Sequence, residues 1–260
     1  MKNTKNIYIR QVEKSRIPTC NIMGVNIAAI NMQWLLNFTR KHIKELSGDY
    51  MCVSNVHTTV TAYEDPQYRK VQNSAVMSIP DGGPLSILGR KRGYKDMDRT
   101  TGPSYMGEVL KMGLQYGYRH YFYGSTEETL KRLYDVLKRD YPDIQIVGMY
   151  SPPFRPLIES EDNVIVKQIN ASNPDFVWVG LGAPKQERWM EVHQGEINGF
   201  MVGVGAAFDY FAGNIKRAPK WMQKCSLEWM YRIMQEPKRL FKRYMTTNSK
   251  FIWHAVLRGK

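Results

Sequence analysis

The chain has 260 residues, with 37 lysines and arginines against 24 aspartates and glutamates, a formal charge of +13. Its 43% hydrophobic and 12% aromatic content excludes a disordered chain, and three dispersed cysteines (Cys20, Cys52, Cys225) exclude a disulfide scaffold or a cysteine-based zinc module. No segment approaches the roughly 18 consecutive apolar residues of a spanning helix, and residues 1–16 are polar with no apolar leader, so a soluble protein of a reducing compartment is expected.

Short apolar runs alternate with helical patterns. In chain order, helices are predicted over 32–46, 59–73, 103–116, 126–140, 162–171 and 184–194, and strands over 50–56, 75–79, 120–123, 145–149, 175–181 and 200–204. Ser125 and Thr126 supply a cap ahead of Glu127 and Glu128, and Pro103 and Pro184 suit a first helical turn. Most of the strands are continuous apolar runs, as in sheets buried on both faces. The alternation predicts an α/β fold with a mainly parallel sheet over residues 1–213, and such sheets bind ligands at the carboxyl ends of their strands.

The unusual residues fall at those ends. One strand runs into Gly124-Ser125, a second into Gly180-Leu181-Gly182-Ala183-Pro184-Lys185-Gln186-Glu187, and a third into Gly203-Val204-Gly205 followed by Asp209. Three glycine turns in succession point to a nucleotide-type site, where the backbone approaches a ligand and helix N-termini meet phosphate. There is no Walker sequence and no G-x-G-x-x-G, so neither an ATPase nor a nicotinamide dehydrogenase is supported.

In the first half, Pro80-Asp81-Gly82-Gly83 ends a strand with an acid in a turn. Asp81 is either a turn former or a carboxylate projecting as general base. Asn55 either contacts a sugar or base or caps the next helix. The five histidines have no metal-ligand spacing, and no hydrolase elbow is present. Asp96-Met97-Asp98 matches a D-x-D metal–nucleotide pattern but follows a basic loop rather than an apolar strand, so it reads as solvated charge.

Residues 214–260 hold 12 basic and two acidic side chains, so the tail carries most of the net charge. Beyond Pro237, Lys238, Arg239, Lys242 and Arg243 fall on one half of a helix, with Leu240, Phe241, Tyr244 and Met245 on the other. A basic amphipathic appendage of this kind suits an anionic membrane surface, unless its apolar half packs on the body. The alternative is a basic nucleic-acid-binding α/β protein, although confinement of the charge to the tail argues against nucleic acid.

Several of these pieces occur together in one family. Asn55 with His57-Thr58, Pro80-Asp81-Gly82, Gly124, Tyr141-Pro142, Val147-Gly148 and the block from Gly180 to Glu187 come first. Gly203-Val204-Gly205, Phe208-Asp209, Ala212-Gly213, Arg217-Ala218-Pro219, Glu228-Trp229 with Tyr231-Arg232, Glu236-Pro237 with Arg239-Leu240, and Arg243-Tyr244 follow in order. The chain resembles the WecG/TagA/CpsF glycosyltransferases, glycosyltransferase family 26, over about residues 20 to 245.

That resemblance implies a Rossmann-like fold and an inverting, metal-independent transferase. It implies movement of a sugar (N-acetylmannosamine-type or hexose) from a UDP-sugar to a polyprenyl-diphosphate-linked acceptor in teichoic acid, capsule or exopolysaccharide assembly. It implies no cofactor, and a cytoplasmic protein lying peripherally on the inner face of the membrane. Asp81 becomes the expected base and Gln186 a residue of the substrate site. Arg232 and Arg239 match arginines that reach toward the diphosphates, with Lys242 or Arg243 at a third position. The expected binding set is therefore Asn55, Gly124, Ser125, Gly182, Lys185, Gln186, Glu187, Gly205, Asp209, Arg232, Arg239 and Lys242 or Arg243. The donor sugar, the acceptor lipid and self-association stay open.

Overall fold

A computed structural model describes residues 10–259; residues 1–9, most of the polar N-terminal stretch read above, and Lys260 lie outside the described residues. An antiparallel hairpin of β1 (Thr19–Ile22) and β2 (Val25–Ala28) forms one edge of the sheet. Met23 and Gly24 between them have φ of 51° and 86°, as a two-residue hairpin turn requires. A Met-Gly pair is not a recognised turn signal, so the hairpin is absent from the sequence expectations.

The other strands are β3 (Tyr50–Ser54), β4 (Met77–Pro80), β5 (Arg119–Gly124), β6 (Gln145–Tyr150), β7 (Phe176–Gly180) and β8 (Phe200–Gly203). All six were expected, and all pair in parallel, in the order β1-β2-β4-β3-β8-β7-β5-β6. The mixed α/β architecture with a mostly parallel sheet flanked by helices matches the expected fold class.

Side-chain alternation divides the core into two layers. Met51, Val53, Phe176, Trp178, Phe200 and Val202 point to one face, against α1 (Met32–His42), α5 (Gly102–Tyr116) and α6 (Glu127–Asp140). Tyr50, Cys52, Val177, Val179 and Met201 point to the other, against α2 (Val56–Glu64), α3 (Pro66–Ser74), α7 (Glu159–Ala171) and α8 (Lys185–Val192). Each fully buried large side chain contributes about 2–3 kcal/mol of apolar transfer, which explains why both faces of the central strands are apolar.

The expected helix over 59–73 is in fact two. Asp65 ends α2 and caps α3, its carboxylate accepting from Gln67 N and Tyr68 N, with Pro66 at the first helical position. Helix α4 (Gly83–Lys91) was not foreseen, because Gly82-Gly83-Pro84 reads as a turn. Gly82, at φ 107°, supplies the bend that lets the chain leave β4 and enter α4 at once.

A short α9 (Ala207–Phe211) follows β8, and the tail folds as α10 (Lys220–Lys224), α11 (Glu228–Gln235) and α12 (Pro237–Phe251), the last widening into a π-helical turn over Ile252–Leu257. Helix α12 lies along α2 and buries Leu240, Thr247 and Phe251. The expected division into a basic and an apolar half is only partly realised. Leu240 packs on the body, whereas Phe241 and Met245 remain 59% and 49% exposed, and Arg243 turns inward. None of the described helices is long and apolar enough to cross a membrane.

Candidate active site

The carboxyl ends of β3, β4, β5, β7 and β8 open into one cleft of about 1030 Å³, roofed by α11 and α12. Asp81 stands at its floor, directly after β4. Its backbone N–H donates to Ser54 O at 2.6 Å, which ties the turn to the end of β3. The tail reaches this turn directly: a Cβ on Gly83 would lie 1.8 Å from Ser226 Oγ, so only glycine admits the approach.

Burial pushes the Asp81 carboxyl up to about 6, with the Glu228 carboxylate adding to the rise and Arg99, Arg217 and Arg232 opposing it. Two of those arginines are themselves bound by Glu228. Arg99 forms an ion pair with it and also donates to Gln223 O at 3.0 Å, and Arg217 Nε lies 3.7 Å from its other carboxylate oxygen. Arg217 also donates to Thr101 Oγ1 and Ser104 Oγ. Glu228 therefore joins the tail to both walls of the cleft beside the carboxylate.

Three more arginines come from the roof. Arg232 donates to Tyr210 OH at 2.8 Å and to Glu236 at 3.2 Å, and its guanidinium lies 5.3 Å from the Tyr210 ring centroid. Arg239 pairs with the same Glu236. Arg243 has no carboxylate partner among the described residues, and its Nε is buried without a hydrogen bond. An arginine with unmet donors in a cleft is poised for an anionic ligand. His57 also faces this space. Its own burial and the charge of Arg243 push it down to about 4, so it is neutral at physiological pH.

The glycine turns are held together by one amide. Gln186 Oε1 accepts from Gly182 N at 3.2 Å and Gly205 N at 3.1 Å, while Nε2 donates to Glu187 Oε1 at 2.8 Å. Gln186 lines the cleft, but its side chain is committed to fixing the turns after β7 and β8. Asn55 likewise lines the cleft while its Oδ1 accepts from Thr58 N, the capping alternative open in the sequence.

Ser125, Gly182, Lys185, Gly205 and Asp209 also line the cleft, together with Arg232, Arg239 and Arg243. Three expected binding residues do not. Gly124, at φ 120°, serves the sheet instead, because a Cβ there would lie 2.6 Å from the Gly180 backbone. Glu187 is buried beneath the cleft, its carboxyl pushed up to about 7 by desolvation. Lys242 points to solvent, and Arg243, one residue and about 100° further round the helix, takes the inward position.

Sequence reasoning did not single out Arg99, Tyr210, Arg217 and Glu228. Arg217 and Glu228 were visible inside motif blocks, but nothing in the sequence joins Arg99 to Glu228 across 129 positions. Asp96 and Asp98 lie outside the cleft lining, and Asp98 pairs with Arg90 on the surface. Among the described residues no group of three or more His, Cys, Asp or Glu is arranged to hold a metal ion.

Comparison with known proteins bears on this cleft. The profile of the glycosyl transferase WecG/TagA/CpsF family matches residues 20–260. The chain is 30% identical over 211 residues to an N-acetylglucosaminyldiphosphoundecaprenol N-acetyl-beta-D-mannosaminyltransferase of Bacillus subtilis (strain 168), covering 80% of each chain. It is 31% identical to the protein of the same description from Bacillus spizizenii (strain ATCC 23059 / NRRL B-14472 / W23), covering 76% of each. With that of Staphylococcus aureus (strain MW2) it shares 26% identity over 88% of this chain and 89% of the relative.

Proposed function

The chain belongs to the WecG/TagA/CpsF family of glycosyltransferases, and from that membership we propose that it moves N-acetylmannosamine from a UDP-sugar to the GlcNAc of a polyprenyl-diphosphate-linked acceptor. The names of the relatives supply the sugar and the acceptor class. One observation in the chain itself carries the chemistry: the Asp81 carboxyl, pushed up to about 6, shares a cleft with five arginines, Arg99, Arg217, Arg232, Arg239 and Arg243. Membership in a glycosyltransferase family favours this reading over the nucleic-acid alternative.

Asp81 is ionised at neutral pH yet basic enough to accept a proton. It takes the proton of an acceptor hydroxyl as that oxygen attacks the anomeric carbon. The bond between this carbon and the β-phosphate oxygen breaks on the opposite face, its electron pair leaves with UDP, and the configuration inverts. No second acid is required, because a diphosphate is a good leaving group. Negative charge grows on that diphosphate in the transition state, and preorganised guanidinium groups stabilise it. The reaction on this account is metal-independent, the arginines supplying the positive charge.

A lipid-linked acceptor requires the cleft to meet a membrane. The exposed tail residues Met230, Met234, Phe241, Met245, Trp253 and Leu257, with Lys238 and Lys242 among them, support peripheral docking on an anionic surface. Asp81→Asn tests the assignment of the base. Transfer should fall about 10²–10⁴-fold, while UDP-sugar binding measured by calorimetry persists. Retention of near wild-type transfer refutes the assignment.

A further inference from the structure

The roof helix changes character along its length. Its cleft-facing residues begin with Arg239 and Arg243, pass through Tyr244 and Asn248, and end in Phe251, Ile252 and Val256 on the π-helical turn. Arg243 and Ile252 are nine residues apart, about 14 Å along a helix. Opposite the apolar end stands α4, which contributes Ile87 and Leu88 to the same cleft. Arg92, just after α4, donates to Ala255 O at 3.3 Å and so ties the two walls together. Ile87, Ile252 and Val256 are 42%, 52% and 51% exposed, so an apolar surface inside the substrate cleft is left uncovered. Uncovered apolar area in a cleft marks a ligand contact.

We propose that the channel between α4 and the π-helical turn holds the first isoprene units of the acceptor, with its diphosphate on Arg239 and Arg243. This rests on the proposed reading of the acceptor as a polyprenyl diphosphate. The chemistry of that molecule matches the gradient. Its diphosphate is bonded directly to an isoprenoid with no spacer, so a site for the phosphates must have apolar space immediately beside them. A nucleoside diphosphate has the opposite need, a polar sugar and base next to its phosphates. The apolar end of the cleft is therefore suited to the acceptor and not to the donor. The GlcNAc-bearing headgroup and the lipid tail are then read by separate parts of one cleft, and discrimination between long and short lipids follows from the channel rather than from the outer face of the tail.

The test uses two acceptors with the same GlcNAc-diphosphate head, one carrying a single isoprene unit and one carrying three, assayed without membranes below their aggregation thresholds. The wild-type protein should show a lower KM for the three-unit acceptor. In Ile87→Ser, Val256→Ser and the double variant, that preference should shrink by about tenfold or more, the scale set by lost apolar side-chain contacts in a pocket. Leu257→Ser, outside the cleft lining and 66% exposed, should keep the preference. Thermal melts report whether each variant is folded, and the two single variants stand in for the double if it is not. An unchanged chain-length preference in the folded groove variants overturns the channel. So does loss of liposome binding with the preference intact, which would make these residues part of a membrane contact. Failure of the wild-type protein to use either acceptor overturns the parent reading instead, so the two failures are distinct.

Discussion

Asp81→Asn is expected to stabilise the protein while removing its activity. The carboxyl moves from an ordinary 3.8 to about 6 on folding, which corresponds to about 3 kcal/mol by the free energy of one pKa unit. Between these two values the folded protein binds more protons than the unfolded chain, so stability falls as pH rises through this window. Below it both states carry the neutral acid and the penalty vanishes; above it the full penalty applies. Asparagine mimics the neutral acid at every pH. The variant and the wild type should therefore unfold alike near pH 3.5 and diverge as pH approaches 6. Above pH 7 the variant should lead by about 3 kcal/mol, or roughly 6 °C or more in Tm for a chain of this size. Denaturant unfolding across pH 3.5–8 measures the gap. A variant no more stable than wild type at pH 7.5, or a gap that does not change with pH, refutes the view that burial sets the character of this carboxylate.

Glu228→Gln removes a charge that holds Asp81 up and frees Arg99 and Arg217 to act on it. The acid limb of the kcat/KM profile should move to lower pH, and an unmoved limb contradicts the linkage. Arg243→Met should lower kcat/KM for the lipid-diphosphate acceptor by about 10–10²-fold, the scale of a lost hydrogen bond to a charged group. Lys242→Met should leave transfer to a water-soluble acceptor within about twofold, as solvent-exposed substitutions generally do. Equal losses at the two positions would contradict the inward placement of Arg243. Gln186→Ala leaves two turn N–H groups without their acceptor, at about 1–3 kcal/mol each. A lower Tm and a raised donor KM should appear together; an unchanged Tm contradicts the clamp.

The fold was largely legible because parallel strands such as β7 are apolar on both faces and their helices carry a 3.6-residue period. What escaped had no periodic signature. The β1–β2 hairpin turns on Met23-Gly24, which carries no turn chemistry in its composition, and α4 hides behind glycines that usually mark a loop. The candidate site was legible where its residues sit at a strand end, as with Asp81 and the turns after β7 and β8. It was illegible where position depends on long-range docking. Whether Lys242 or Arg243 faces inward depends on which side of α12 rests on α2, and the Arg99–Glu228 pair exists only because the tail folds back over β4. Gln186 illustrates a third case, a residue whose place was expected but whose side chain is spent on the backbone of two turns rather than left for a ligand.

The proposed reaction is tested most directly by mixing the purified protein with UDP-N-acetylmannosamine and a short polyprenyl-diphosphate-GlcNAc in the presence of EDTA, and determining the product by mass and anomeric configuration. The account predicts one N-acetylmannosamine added per acceptor with inverted configuration, equimolar UDP release, and loss of both in Asp81→Asn. A product of retained configuration, a strict requirement for added divalent metal, or full turnover by the Asp81 variant would contradict it.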